Sequence, residues 1–152
     1  MPELIVRHID DVPWQEVRAV VDRDGKRLVA REKWVEFTPQ RLAHYGVWDP
    51  GMVVHRHGHN SEQIIFVIAG ELTVGDRVCP AGTYMVLEQG AAMGPMIAGP
   101  EGVVLFEAMM GDPRSWPDDP EGYERLLAER GLTKLPNPPV EMPDWLPDTR
   151  SP

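Results

Sequence analysis

The chain has almost no cysteine, no long apolar run and few basic residues, and each shortage excludes a class of protein. Its 152 residues include one cysteine, Cys79, which excludes an intramolecular disulfide and fits a reducing cytoplasm. No apolar stretch approaches membrane-spanning length and no basic segment with an apolar run opens the chain, so we expect neither an anchor nor a secretory leader. The formal net charge of -9 argues against nucleic acid and anionic membrane surfaces as partners.

Histidine is scarce outside one short segment. The segment from Gly51 to Gly70 reads GMVVHRHGHNSEQIIFVIAG, and no histidine follows it. Alternate residues of an extended strand project from the same face about 6.6 Å apart, so two neighbouring histidines can converge on one ion. His55 and His59 would lie roughly 13 Å apart, whereas a metal–nitrogen bond is about 2 Å. The residues therefore leave His55/His57 and His57/His59 open, with Glu62 or Gln63 nearest as a further ligand.

The centre of the chain is a succession of short apolar stretches separated by glycine and proline. This pattern predicts a single all-β domain, 1–152, whose core is a sandwich or barrel over about 28–110. The expected strands cover residues 28–37, 42–48, 52–59, 63–69, 71–74, 77–79, 83–87, 92–97 and 103–109, with a turn at 99–102.

The two ends differ from the centre. Short N-terminal strands are expected at 4–9 and 17–21. The C-terminal segment, 113–152, holds nine of the sixteen prolines, and one amphipathic helix is expected within it at 120–130. The remainder reads as a Pro-rich extended tail anchored by Trp145 and Leu146. We expect a homodimer, in which such terminal segments contact the second barrel.

The spacing of the histidine segment resembles the first motif of the cupin superfamily. After Gly51 come five residues, then His57, one residue, His59, three residues, Gln63, six residues and Gly70. The departure is a glutamine where many cupins carry glutamate. The resemblance, closest to small RmlC-like single-domain cupins, implies a double-stranded β-helix, or jelly-roll barrel, and it implies that His57, His59 and Gln63 bind metal.

The second cupin motif is altered in this chain. The stretch GTYMVLEQGAAMGPMI keeps the spacing of Gly82 and Gly90, but it has Glu88 at the proline position and Met93 at the histidine position. Met93 is therefore the candidate fourth ligand, with a soft thioether that suits copper(I). The alternative is that Met93 fills an apolar pocket, as flexible methionines do. The expected cofactor is a divalent transition metal (Mn, Fe, Ni or Zn), or none if the site is vestigial.

Two further residues are candidates for catalysis. Glu107 interrupts the apolar strand VVLFEAM, and a buried carboxylate there has a raised pKa suited to proton transfer. A structural ion pair with Arg56 or Arg77 is the alternative. His55 lies next to the metal-binding pair, as a substrate-facing group or as a core histidine.

The neutral glutamine determines which chemistry we expect. Because it leaves more positive charge on the metal, it favours Lewis acidity over support of high-valent iron. We therefore expect an enzyme that acts on a small molecule by lyase, isomerase or cyclase chemistry rather than as a dioxygenase. The alternatives are a non-catalytic small-molecule-binding cupin with a vestigial metal site, and a module whose interior is filled by methionines.

Overall fold

The computed structural model describes residues 1–148, and in them the regular structure is mostly β-strand, with one α-helix. Residues 149–152, the end of the predicted tail, lie outside the described residues. The strands within residues 1–148 are β1 Gln15–Val21, β2 Arg27–Thr38, β3 Arg41–Trp48, β4 Val53–Val54, β5 His57–His59, β6 Gln63–Val74, β7 Arg77–Pro80, β8 Tyr84–Leu87, β9 Met96–Met109, β10 Ser115–Pro117 and β11 Thr133–Lys134. The predicted all-β class is confirmed.

The sheet order explains which side chains face inward. Within residues 1–148, nine strands form one antiparallel sheet with the central order β11-β1-β2-β3-β9-β6-β7, in which β4 pairs with β9 and β8 pairs with β6. Successive residues of a strand face opposite sides, so Ile65 and Val67 of β6 and Leu105 of β9 are buried in the core while Phe66 and Phe106 face outward. β5 and β10 pair separately as a two-stranded sheet.

The turn expected at 99–102 is wrong. One strand, β9, runs from Met96 to Met109 through this stretch, and β6 likewise joins the two strands expected at 63–69 and 71–74. The glycines mark bends inside the strands: Gly70 and Gly102 lie against each other with φ of 70° and 80°, and the register of β6 against β9 shifts there. Glycine and proline signals therefore mark bulges here rather than strand ends.

The N-terminal strand expected at 4–9 is also wrong, whereas the strand expected at 17–21 is confirmed as β1. Leu4, Ile5 and Val6 are exposed, and residues 9–11 form a turn of 3-10 helix. A strand requires a partner, and within residues 1–148 the segment 4–9 pairs with no strand of either sheet.

The strand expected at 52–59 is interrupted in the middle of the histidine segment. β4 pairs with β9, whereas β5 pairs with β10, so the two halves belong to different sheets. His55 and Arg56 form the connection between them. Consequently His57 and His59 share a strand, and His55 does not.

The predicted helix is confirmed as α1, Pro120–Glu129, within the described residues. Its N-cap is Asp119, whose side chain accepts a hydrogen bond from the Gly122 N–H, and Leu127 is its buried residue. In the tail that follows, Leu146 is buried, while Trp145 is 46% exposed and contacts Phe37. Cys79 is a buried free thiol. Across residues 1–148, no helix has the length and apolar character needed to span a membrane.

The close approach of Gly70 to Gly102 yields a prediction about stability. Gly70→Ala is expected to destabilise the fold by at least about 2 kcal/mol, because the new methyl group would suffer left-handed backbone strain and would also collide with the Gly102 carbonyl oxygen. The matched control is Gly25→Ala, which has a similar φ of 82° with nothing within 4 Å of the added carbon, and it should cost about 1 kcal/mol. Urea denaturation measures both. Equal losses would contradict the bend described here.

Candidate functional site

A cavity of about 130 Å³ lies among the inward-facing residues of the sheet. Four of the six predicted site residues line it: His57, His59, Gln63 and Glu107. The rest of the wall is largely apolar, with contributions from Trp34, Phe37, Leu42, Trp48, Val54, Met96, Met109, Met142 and Leu146. The fold therefore brings a small polar group together inside an apolar chamber, as in many small-molecule sites.

His57 and His59 are held in defined orientations by backbone carbonyl groups. His57 Nδ1 lies 2.8 Å from the His55 carbonyl oxygen, and His59 Nδ1 lies 2.8 Å from the Pro113 carbonyl oxygen. A carbonyl oxygen only accepts, so each Nδ1 carries the proton and donates it. Each Nε2 is thereby left with its lone pair, which is the form of histidine that binds metals. The two rings meet edge to face, with centroids 4.9 Å apart.

Burial keeps these imidazoles neutral. It lowers the pKa of His57 well below its usual value, and the neighbouring His59 lowers it further. Burial likewise lowers the pKa of His59, although the hydrogen bond to Pro113 partly offsets this effect. Neither side chain therefore has to lose a proton at neutral pH before its Nε2 can bind an electrophile.

Gln63 presents an unsatisfied amide oxygen. Its Nε2 donates a hydrogen bond to Glu107 Oε2, which orients the amide so that the oxygen faces away from that carboxyl group. The side chain is 1% exposed, and within residues 1–148 its Oε1 has no hydrogen-bond partner. A buried carbonyl oxygen without a partner is costly, so an external ligand that binds this oxygen stabilises the site.

Glu107 lies beside His44, a buried histidine outside the histidine segment. His44 is 2% exposed, and its Nε2 lies 3.9 Å from Glu107 Oε2 while its Nδ1 lies 3.6 Å from Glu32 Oε2. Burial raises the pKa of Glu107, and the charge of Glu32 raises it further, whereas His44 and the hydrogen bond from Gln63 lower it. Arg56, proposed as a partner of Glu107, forms its ion pair with Asp118 instead.

The signal for His44 was present in the sequence as strand parity. In β3 the residues Leu42, His44 and Trp48 share one face, and the first and last of these are large apolar residues of the kind that face a core. His44 is the direct cross-strand partner of Glu107 on β9. Glu32 gave the same signal, because it shares its face of β2 with Leu28, Ala30 and Trp34, and it lines the cavity.

His55 and Met93 do not line the cavity. The His55 ring lies between those of His57 and Tyr123, with centroids 4.7 Å and 5.6 Å away, and its buried Nε2 has no partner within residues 1–148. Burial lowers the pKa of His55 to about 3. Met93 pairs with His57 through backbone hydrogen bonds of 2.9 and 3.0 Å, and its side chain packs in the apolar core. The roles expected for them, a substrate-facing group for His55 and a fourth metal ligand for Met93, stay predictions.

The donor set fits a metal ion held by two imidazoles and one amide. Within residues 1–148, no three His, Cys, Asp or Glu side chains converge on a common point. A centre made by His57, His59 and Gln63 contains only two residues of those types, so it agrees with this finding. The fit comes from two Nε2 lone pairs and one unpartnered amide oxygen in a single cavity.

Comparison with solved structures places the fold among cupins. KdgF from Halomonas sp. is 25% identical with a TM-score of 0.50, over 66% of this chain and 90% of that one. An acetylacetone dioxygenase from Acinetobacter johnsonii is 14% identical with a TM-score of 0.60, over 80% and 82%. Rhodobacter sphaeroides SigE in complex with the anti-sigma ChrR gives 18% identity and a TM-score of 0.51, over 68% of this chain and about half, 52%, of the matched chain. The last two likenesses show the fold alone.

The profile of one protein family matches most of the chain. No curated protein matches this sequence. The ChrR Cupin-like domain family matches residues 2–110, a span that contains every predicted site residue. The predicted cupin-type jelly roll is thereby confirmed, and the chain belongs to the ChrR Cupin-like domain family of the cupin superfamily.

Proposed function

We propose that this chain is a single-domain, cytoplasmic, metal-dependent enzyme that acts on a small molecule. His57, His59 and Gln63 would hold a divalent transition metal, Mn, Fe, Ni or Zn. The observation that carries the proposal is the cluster of three donor atoms without protons in one cavity: two Nε2 atoms, freed because each Nδ1 is bound to a carbonyl, and the unpartnered Gln63 Oε1. Imidazole and amide donors suit these metals.

The cavity favours polarisation of a substrate over oxygen activation. When bound, a divalent metal supplies a Lewis acid for a carbonyl or hydroxyl oxygen of the substrate. Gln63 adds no negative charge to the centre, and the apolar walls exclude water and hold the body of a small molecule. Lyase, isomerase or cyclase chemistry is therefore preferred to dioxygenase chemistry.

Glu107 is the side chain best placed to move a proton. Its carboxyl group is buried in the cavity wall, and burial raises its pKa, which strengthens it as a base when it is ionised. The hydrogen bond from Gln63 Nε2 holds Oε2 in place. His44 lies beyond hydrogen-bond distance of Glu107 and acts on its pKa through charge.

A non-catalytic binder of small molecules is the second candidate. Met93 occupies the position where the cupin motif has a further histidine, and its side chain packs in the apolar core rather than at the cavity. If the site is vestigial, the same cavity would take a ligand without turning it over.

Metal content provides the first test. Purified protein supplied with Mn, Fe, Ni or Zn is expected to retain close to one equivalent by elemental analysis, and its melting temperature should rise with metal and fall with chelator. His57→Ala and His59→Ala should each weaken metal binding at least about tenfold.

Two controls separate the possible ligands. His8→Ala, at an exposed histidine, should leave binding unchanged, and so should Met93→Leu if Met93 only fills space. A metal-free chain whose ligand binding survives His57→Ala would support the non-catalytic candidate instead. Oxygen consumption with the loaded chain would favour dioxygenase chemistry.

Glu107→Gln tests the proton-transfer role. A panel of small hydroxy and keto compounds is incubated with metal-loaded protein in D₂O, and deuterium entering carbon is followed by NMR. We expect Glu107→Gln to reduce incorporation by about a hundredfold or more. The glutamine retains an oxygen acceptor for Gln63 Nε2, so metal content should not change. Incorporation at the wild-type rate would exclude Glu107 as the base.

We also propose that the chain forms a homodimer through the outer face of its sheet. Phe66, Tyr84 and Phe106 are 41%, 60% and 39% exposed, and they form a continuous cross-strand row over β8, β6 and β9. Tyr45, paired with Phe106 on β3, extends this row. None of the four residues is charged, so two copies of a chain with net charge -9 can meet there around a two-fold axis without opposing like charges.

Mass measurement by light scattering tests the dimer. Phe106→Glu places a charge in the middle of the outer row and is expected to convert the dimer to a monomer. Val78→Glu, at an exposed apolar residue of β7 outside the row, should leave the mass unchanged. A wild-type monomer, or a dimer that survives Phe106→Glu, would contradict this interface.

A further inference from the structure

Part of the cavity wall comes from the C-terminal arm, which we define as residues 135–148. Met142, Leu146 and Pro147 of this arm line the cavity together with residues of the sheet. The family match ends at residue 110. The arm therefore contributes part of the cavity wall, although it lies outside the residues that match the family.

Hydrogen bonds hold the arm along β1. The Leu135 N–H donates to the Ala19 carbonyl oxygen at 3.2 Å, and the Glu141 N–H donates to Gln15 Oε1 at 2.8 Å. Between them, Arg18 Nη1 donates to Asn137 Oδ1 at 3.5 Å. The arm thus passes along β1 from its C-terminal half towards its start, in a fixed direction.

Aromatic and aliphatic contacts then hold the end of the arm at the cavity. The Trp145 ring meets that of Phe37 edge to face at 5.3 Å, and Phe37 meets Trp34 in the same way at 5.3 Å. Trp34 and Phe37 both line the cavity. Leu146, next to Trp145, is only 7% exposed. The arm is therefore packed against the wall through a chain of rings, which favours a fixed position.

We propose that the C-terminal arm narrows the cavity and limits its ligand to a compact, apolar-bodied molecule. A chamber of about 130 Å³ compares with the roughly 150 Å³ apolar cavity that accommodates benzene. Leu146 is the main size-determining residue, because it is buried at the cavity and its truncation enlarges the space without removing a polar contact. The proposal rests on the proposed function only in taking this cavity as the ligand site.

The experiment uses a pair of matched variants of the full chain. Leu146→Ala and Leu127→Ala remove the same atoms from leucines that are 7% and 6% exposed, but only Leu146 lines the cavity. Both are purified with a chelator, so the outcome does not depend on metal. Elemental analysis tests the metal proposal separately, and its failure leaves this result standing.

Access to the cavity is measured by modification of histidine with diethyl pyrocarbonate. Trypsin releases residues 57–77 as one peptide whose only histidines are His57 and His59, and residues 8–18 as a peptide with exposed His8 as internal standard. Relative to His8, modification of the 57–77 peptide should rise several-fold in Leu146→Ala and stay at the wild-type rate in Leu127→Ala. An unchanged rate in Leu146→Ala, or an equal rise in both variants, would overturn the proposal.

Ligand size is measured by calorimetry with phenol and 4-phenylphenol as probes. The wild-type chain and Leu127→Ala should prefer phenol, and Leu146→Ala should shift the preference towards 4-phenylphenol by about tenfold. Equal binding of both probes to the wild type, no binding of phenol, or no shift in Leu146→Ala would overturn the assignment of the arm as the size-limiting wall.

Discussion

The candidate site depends on two hydrogen bonds in which histidine Nδ1 atoms donate to backbone carbonyl groups. They fix the tautomer of His57 and His59, leave both Nε2 atoms without a proton and orient the rings. Their effect requires burial, because burial keeps both imidazoles neutral. Gln63 is arranged similarly: its amide nitrogen donates to Glu107, and its amide oxygen has no partner within residues 1–148. In each of the three residues, a hydrogen bond from one side-chain atom leaves another side-chain atom available to bind a ligand.

The fold provides these bonds through a small sheet beside the large one. β5 carries both histidines and pairs with β10, and the carbonyl group that orients His59 belongs to Pro113, just before β10. The C-terminal segment therefore contributes to the site twice, first by orienting His59 and then by lining the cavity with Leu146. Gln63 and Glu107 come from β6 and β9, whose antiparallel register brings them close enough to bond.

Much of the fold was predictable from the sequence because local signals and tertiary pairing agree. β1, β2, β3 and α1 follow their expected bounds closely. The errors occur where tertiary structure overrides local chemistry: Gly99 to Gly102 lies inside β9, and the apolar residues at 4–6 are exposed and join no strand within residues 1–148. For the site, the resemblance to the first cupin motif identified His57, His59 and Gln63, which all line the cavity. Strand parity carried a signal for His44 and Glu32, whereas the position of the arm depends on long-range packing, which no local pattern encodes.

The most direct test of the account is the protonation pattern of the two imidazoles. Two-bond ¹H–¹⁵N spectra of ¹⁵N-labelled protein at neutral pH distinguish the two tautomers, and titration with Zn²⁺ then reports which nitrogen binds. The account predicts that His57 and His59 are both neutral with the proton on Nδ1, and that Zn²⁺ shifts the Nε2 resonances of both. Protonation on Nε2, or Nε2 resonances that do not respond to Zn²⁺, would contradict it.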